Sequence, residues 1–159
     1  MIQRIQTIYL LIIAALMAAM LLTPLAHFYG DENTFRLMAF GVQAQEAPPT
    51  DSVWVVRMPW MGILMILAAC LPLVTIFFYK QRKIQVRFCI VEAILLGGVQ
   101  IYVIFYLFRA HCSIADFAFQ SIRYTIPDVF PLTAIILAWL ALRAIIHDEA
   151  LVRSIHRIR

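Results

Sequence analysis

Charged residues are scarce in this sequence, and they cluster in a few short segments. Only 14% of the 159 residues are charged, whereas 64% are hydrophobic. Soluble domains have about 25% charged and about 45–50% apolar residues. The apolar residues also form long uninterrupted blocks. The composition therefore excludes a soluble globular domain and predicts that lipid covers most of the outside of the protein.

Paired cysteines and catalytic motifs are also missing. The chain has three cysteines, and no two of them have CxxC spacing: Cys70, Cys89 and Cys112. This spacing excludes a disulfide framework, and it argues against the class of small membrane enzymes that use two reactive thiols. There is no Ser-His-Asp order, Gly-rich phosphate loop or HExxH run. His27 and His111 lack metal-ligand spacing. We therefore expect no enzymatic activity, no cofactor and no metal site.

Four apolar segments are long enough to cross a bilayer. They cover about residues 5–28, 58–79, 88–108 and 128–146. At about 1.5 Å per residue each reaches roughly 30 Å, the thickness of the hydrocarbon core. The first is too long for a signal peptide and lacks a cleavage site, so we expect it to be retained. The prediction is a single all-α domain, residues 1–159, folded as an up-down-up-down four-helix transmembrane bundle.

The connecting segments differ in character. Residues 30–57 contain two β-prone stretches separated by Ala47-Pro48-Pro49, which predicts a small hairpin, with a disordered loop as the alternative. Residues 80–87 form a short basic loop, and residues 109–127 form a second polar loop. The tail, residues 147–159, is predicted to be an amphipathic helix on the membrane surface.

The placement of charge predicts the orientation. One set of flanks carries nine basic and two acidic residues, and the opposite set carries four basic and six acidic residues. The positive-inside rule puts the basic set, with both termini, in the cytoplasm. Basic and aromatic residues do not interleave, so we expect no nucleic-acid partner. The candidate contacts to anionic lipid or to partner proteins are Lys80, Arg82, Lys83, Arg153, Arg157 and Arg159.

Glu92 is the one acidic residue inside a predicted span. A carboxylate in lipid is costly, so it marks a candidate functional site. Gln100 follows eight residues later, roughly on the same face, and Gly97-Gly98 would permit close approach of another helix. A proton- or ion-coupled site could be built in this way. The structural alternative is that Glu92 pairs with Arg87 or Arg143 and fixes helix packing.

Three motifs carry a resemblance to a known family. The chain opens with Met1-Ile2-Gln3-Arg4-Ile5-Gln6-Thr7-Ile8-Tyr9-Leu10-Leu11. Tyr79-Lys80-Gln81-Arg82-Lys83-Ile84-Gln85-Val86-Arg87 joins the middle spans, and Asp148-Glu149-Ala150-Leu151-Val152-Arg153-Ser154 lies near the end. Together they resemble an uncharacterised family of four-span membrane proteins of Bacteroidota, the domain of unknown function 4293. The resemblance covers essentially the whole chain. It implies a location in the bacterial inner membrane and assigns no activity or functional residues.

Two functions follow as expectations. The leading one is a non-enzymatic accessory or scaffold subunit of a membrane complex, because basic flanks are conspicuous and catalytic clusters are missing. The alternative is a small proton- or ion-coupled transporter or channel that uses Glu92.

Overall fold

The structure is a computed structural model, and it describes residues 3–30, 34–45, 53–57, 59–78, 81–114 and 119–157. These residues form four long helices and one β-sheet. The helices are α1 Gln3–Leu22, α2 Pro59–Phe77, α3 Arg82–Ile114 and α4 Phe130–Arg157. The strands are β1 Ala26–Gly30, β2 Thr34–Met38, β3 Gly41–Gln45, β4 Val53–Arg57 and β5 Phe119–Tyr124, and a 3₁₀ turn, Ile126–Val129, precedes α4.

Four segments are long and apolar enough to cross a membrane, as predicted. They are Ile5–Leu22, Pro59–Phe77, Lys83–Arg109 and Ile126–Asp148. Only 28–33% of each segment is buried inside the chain. The outward surfaces carry large apolar side chains such as Ile94, Ile101 and Ile136. Because such a surface needs lipid around it, the chain is a multi-pass membrane protein.

The first helix is shorter than its apolar stretch. The predicted span reached about residue 28, whereas α1 ends at Leu22. Pro24 explains this end, because proline lacks a backbone donor and disfavours helical geometry for the residue before it, Thr23. The apolar residues that follow, Ala26–Gly30, form strand β1 instead.

The last two helices are longer than predicted. α3 begins at Arg82, so most of the predicted basic loop 80–87 is helical, as its Lys, Arg and Gln residues favour. It then continues past the predicted end of the span to Ile114. α4 runs unbroken to Arg157, so the described part of the predicted tail 147–159 continues the fourth helix.

The helices pack in a ring, with α1 against α2 and α4, and α3 against the same two helices. Each turns a buried stripe inward in which residues recur every three or four positions, the spacing of helices that lie side by side. The stripes include Leu10, Ile13 and Met17 on α1, Met61, Met65 and Ala68 on α2, Leu96, Val99 and Val103 on α3, and Ala134, Ala138 and Ala141 on α4. Because α4 contributes mainly alanine, its neighbours can approach it closely.

The connections form a larger β structure than the predicted two-stranded hairpin. The five strands make one antiparallel sheet in the order β4-β3-β2-β1-β5. The two stretches that were predicted to pair become β2 and β4, but β3 lies between them. β5 comes from the predicted polar loop 109–127 and pairs with β1. The Pro48-Pro49 breaker lies outside the described residues.

The sheet has an apolar face that joins the core of the helices. Phe28, Phe35 and Leu37 are each at most 5% exposed and belong to the same buried cluster as the helical stripes. The turn between β2 and β3 also contacts α2, because the ring of Phe40 lies directly over Gly62. A Cβ atom at Gly62 would overlap this ring, so the glycine permits the sheet to dock.

The connectivity fixes which helix ends lie together. α1 ends and α2 begins next to the sheet, and α3 ends and α4 begins there too. Successive helices are therefore antiparallel, as predicted. We call this end of the helices the sheet end. The opposite end, where α1 begins, α4 ends and α2 connects to α3, is the terminal end.

Candidate functional site

Glu92 lies on the inward face of α3. The buried positions of this helix include Gln85, Cys89, Glu92, Leu96, Val99, Val103 and Tyr106, which recur every three or four residues. The side chain of Glu92 is 0% exposed. Neither carboxylate oxygen accepts a hydrogen bond from any residue that the structure describes. A buried polar group without a partner is rare in proteins, so Glu92 is the strongest candidate for a functional residue in the span.

Gln100 is not brought together with Glu92. Eight residues of helix rise about 12 Å and turn about 80° beyond two full turns, so the two side chains lie on neighbouring faces of α3. Leu96 and Val99, not Gln100, occupy the next buried positions after Glu92. The Oε1 atom of Gln100 is also buried, without a hydrogen-bond partner in the described part of the chain. The predicted pair is therefore two separate polar groups.

The two arginines proposed as partners of Glu92 point elsewhere. Arg87 and Arg143 are both exposed. The guanidinium of Arg143 lies 5.5 Å from the ring centroid of Trp139, in a cation–π contact. Because neither arginine donates to the Glu92 carboxylate, the structure offers Glu92 no charge compensation from these two residues.

The glycines of α3 do not serve close packing within the chain. A Cβ atom added at Gly97 or Gly98 would meet nothing within 4 Å. Within the chain these two glycines therefore carry no close helix contact, and close approach by a helix of another protein stays a prediction. Gly62 on α2 is the glycine that carries a close contact.

A buried polar contact that sequence reasoning missed lies at the terminal end. Gln6 of α1 donates a hydrogen bond from Nε2 to Oδ2 of Asp148 on α4, at 3.3 Å, and both side chains are buried. A signal was present, since Gln6 precedes Leu10 and Ile13 at helical spacing on the inward face. This bond gives the buried Asp148 a donor that Glu92 lacks.

The predicted basic contacts are only partly described. Lys83 is exposed at the start of α3. Arg82 lies at the first residue of α3, and Arg153 and Arg157 lie in the last turns of α4. Lys80 and Arg159 lie outside the described residues. All the described positions belong to the terminal end, where the charge pattern groups them.

No group of three metal-ligating side chains occurs among the described residues. Cys70 and Cys112 are exposed, Cys89 is buried, and all three are free thiols. His27 lies in β1 directly opposite Arg36 and Arg123 on the neighbouring strands. Two arginines beside an imidazole disfavour a cation at this position.

One family model matches almost the whole chain. The family described as Domain of unknown function (DUF4293) matches residues 2–158. This chain belongs to the DUF4293 family. No curated protein matches it. The DUF4293 match confirms the resemblance carried by the opening, middle and closing motifs, and its description names no activity.

Within this DUF4293 chain, two buried acids therefore contrast. Asp148 at the terminal end is hydrogen-bonded to a neighbouring helix, whereas the buried carboxylate of Glu92 has no hydrogen-bond partner among the described residues. Only the second is a candidate for chemistry, because the first is explained by packing.

Proposed function

We propose that this DUF4293 protein is a non-enzymatic accessory or scaffold subunit of a membrane protein complex. The observation that carries this proposal is the apolar interior of the helices. Between Glu92 and the sheet end, the inward positions of α3 are the apolar Leu96, Val99 and Val103, all at most 1% exposed, followed by the buried Tyr106. The inward positions of α1 toward the sheet end are Ile13, Met17 and Met20, also fully buried.

This packing supports a binding role over a conducting one. A pathway for a polar solute needs polar side chains or water along its length. The described interior is mainly apolar toward the sheet end, and its buried polar residues lie in the terminal halves of the helices: Gln6, Thr75, Gln85, Glu92 and Asp148. The surfaces left for function are the outward faces of the helices, the sheet and the basic terminal end.

The proposal includes a location and an orientation. The protein would lie in the bacterial inner membrane with both termini in the cytoplasm. The charge difference between the two sets of flanks supports this orientation. The basic residues at the terminal end would then contact anionic lipids of the cytoplasmic leaflet, each contributing about 1 kcal/mol.

The direct test is purification from native membranes. A tagged chain would be crosslinked in intact cells, extracted in mild detergent and analysed by quantitative mass spectrometry. The expected result is one membrane protein recovered in fixed ratio with the chain. Simultaneous replacement of the outward residues Ile94, Ile101 and Phe105 of α3 by alanine tests whether that face binds the partner. Recovery of the chain alone after crosslinking would contradict the proposal.

A small proton- or ion-coupled transporter is the second candidate, and the unpartnered Glu92 carboxyl is the observation that favours it. Purified protein in liposomes would be assayed for proton flux and ion flux under an imposed gradient. The scaffold proposal expects no flux above that of empty liposomes. Flux that Glu92→Gln abolishes and the matched variant Asp148→Asn retains would support the transporter and overturn the scaffold proposal.

A further inference from the structure

The register of the sheet places three nitrogen-rich side chains side by side. His27 on β1 is directly opposite Arg36 on β2 and directly opposite Arg123 on β5. Residues paired in this way have Cα atoms about 4.5–5.5 Å apart and point to the same face. Gln43 on β3 is opposite Arg36 and extends the line by one strand. We call Arg36, His27 and Arg123 the cationic row.

The cationic row lies on the face of the sheet turned away from the helices. Phe28 and Phe35, which alternate with His27 and Arg36 along their strands, are buried in the core. His27 and Arg36 are half-buried, and Arg123 is exposed. The row is therefore open to solutes, while its neighbours shield part of it from water.

An isolated cationic row is unfavourable. Like charges directly opposite each other across strands destabilise a sheet. Burial and the charges of Arg36 and Arg123 lower the pKa of His27 below its ordinary value of 6.5. The Nε atom of Arg36 is shielded from solvent and donates no hydrogen bond to a described residue.

The described strands place no carboxylate in the row. The acidic residues of the connecting segments, Asp31, Glu32, Glu46, Asp51 and Asp116, lie outside the described residues. Among the described residues, the row therefore presents several hydrogen-bond donors and no carboxylate acceptor.

We propose that Arg36, His27 and Arg123 form a binding site for an oxyanion, namely a phosphate, sulfate or carboxylate group. Arginine presents parallel N–H donors that match two oxygens of such a group. The ring of Tyr29 stacks beside His27, with ring centroids 6.2 Å apart, and forms a wall next to the site. This site is independent of the scaffold function and of Glu92.

The test uses the full chain in neutral detergent, with sulfate as the probe because sulfate stays doubly charged over the pH range used. Isothermal titration calorimetry should show saturable binding. Arg123→Gln should weaken it by about tenfold or more, because one charge-assisted contact is lost. Arg36→Lys retains the charge but removes the planar donor pair, and should also weaken binding. Arg57→Gln is the matched control, since Arg57 is an exposed arginine on the far edge strand, and it should change the affinity less than twofold.

The pH dependence identifies the role of His27. The charged or titratable groups that face it are Arg36 on β2, Arg123 on β5 and Tyr29 on its own strand. A bound anion favours the protonated imidazole, so sulfate should bind more tightly at pH 6 than at pH 8. His27→Gln should remove this difference while retaining part of the affinity.

Two further arms complete the experiment. Without sulfate, Arg123→Gln should unfold at the same temperature as the unmodified chain or higher, because repulsion in the row is relieved. Nanodiscs of phosphatidylcholine with and without phosphatidylglycerol distinguish the source of the anion. Weaker sulfate binding in the presence of phosphatidylglycerol would indicate a lipid headgroup, and unchanged sulfate binding would indicate a soluble anion. The proposal is overturned if sulfate does not bind saturably, or if Arg57→Gln and Arg123→Gln weaken binding equally.

Discussion

Polar residues are placed differently at the sheet end and at the terminal end of the helices. At the sheet end the connections pair into five strands, whose apolar face joins the core while His27, Arg36 and Arg123 stay on the opposite face. At the terminal end polar side chains enter the helical interior, where Gln6 bonds to Asp148 and Glu92 finds no described partner.

This difference follows from how strands and helices place their side chains. A sheet needs no polar group inside, because its pleat sends alternate residues to opposite faces. A helix bundle in lipid gains little from apolar transfer between helices, so packing and interhelical hydrogen bonds hold it together. An unpaired carboxyl in such a bundle therefore costs stability, and a functional role would account for it.

The largest change in the free energy of unfolding is expected for a substitution in the packed interior. Leu96→Ala should lower the free energy of unfolding by about 2 kcal/mol, because it leaves a cavity between α3 and its neighbours. The value lies at the low end for such substitutions, since lipid is about as apolar as the interior. Reversible unfolding in mixed micelles measures it. Ile94→Ala, whose side chain is 70% exposed, is the control and should cost far less.

The next largest change in the free energy of unfolding is expected at the contact between the sheet and α2. Gly62→Ala should cost about 1–2 kcal/mol, because the added methyl group overlaps the ring of Phe40. In a Phe40→Ala background the same change should be neutral or stabilising, since alanine favours helix over glycine by about 1 kcal/mol. Gly98→Ala, which meets nothing within 4 Å, is the control. If Gly62→Ala lowered the free energy of unfolding equally in the unmodified chain and in the Phe40→Ala background, the contact between Phe40 and Gly62 would not stabilise the sheet.

The two buried acids at the terminal end should respond in opposite directions. Glu92→Leu should raise the free energy of unfolding by about 1–2 kcal/mol, because it replaces an unpartnered polar group with an apolar one of similar size. Asp148→Leu should lower it by about 1–2 kcal/mol, because the buried amide of Gln6 loses its acceptor. Destabilisation by both substitutions would show that Glu92 has a partner that stabilises the fold.

The smallest effect is the pH dependence at the sheet end. Because the pKa of His27 is lowered in the folded state, the unfolded chain binds a proton near pH 6.5 that the folded chain does not. The contribution of His27 to the free energy of unfolding is therefore most favourable above pH 6.5, and it becomes less favourable as the pH falls below this value. His27→Gln should flatten this part of the stability profile, measured by thermal unfolding between pH 5 and 8. An unchanged profile would show that the cationic row does not disfavour the protonated imidazole.

The helices and strands β2 and β4 could be predicted from the sequence, whereas the remaining strands and the order of the sheet could not. Each span is a local apolar run, and the lipid requirement makes its identity almost independent of its neighbours. The strands depend on partners far away in the chain: β1 pairs with β5, nearly 100 residues later. Gly41–Gln45 and Phe119–Tyr124 carry weak β signals alone and become strands through pairing.

The candidate site residues could also be predicted only in part. Glu92 could be found from the sequence because an acidic residue interrupts an apolar run. Its surroundings could not, since the positions of Arg87 on α3 and Arg143 on α4 relative to the interior follow from how the two helices are rotated against their neighbours. The cationic row was missed because Arg36, His27 and Arg123 are joined only by the register of three strands.

A four-span arrangement places the sheet end and the terminal end on opposite sides of the membrane. Single cysteines at Gln43 in the sheet and Lys83 at the start of α3, in a chain whose three native cysteines are replaced by alanine, test this with a membrane-impermeant maleimide. We expect Gln43→Cys to be labelled in intact spheroplasts, and Lys83→Cys to be labelled only in inside-out vesicles. Labelling of both positions from the same side would contradict the four-span arrangement.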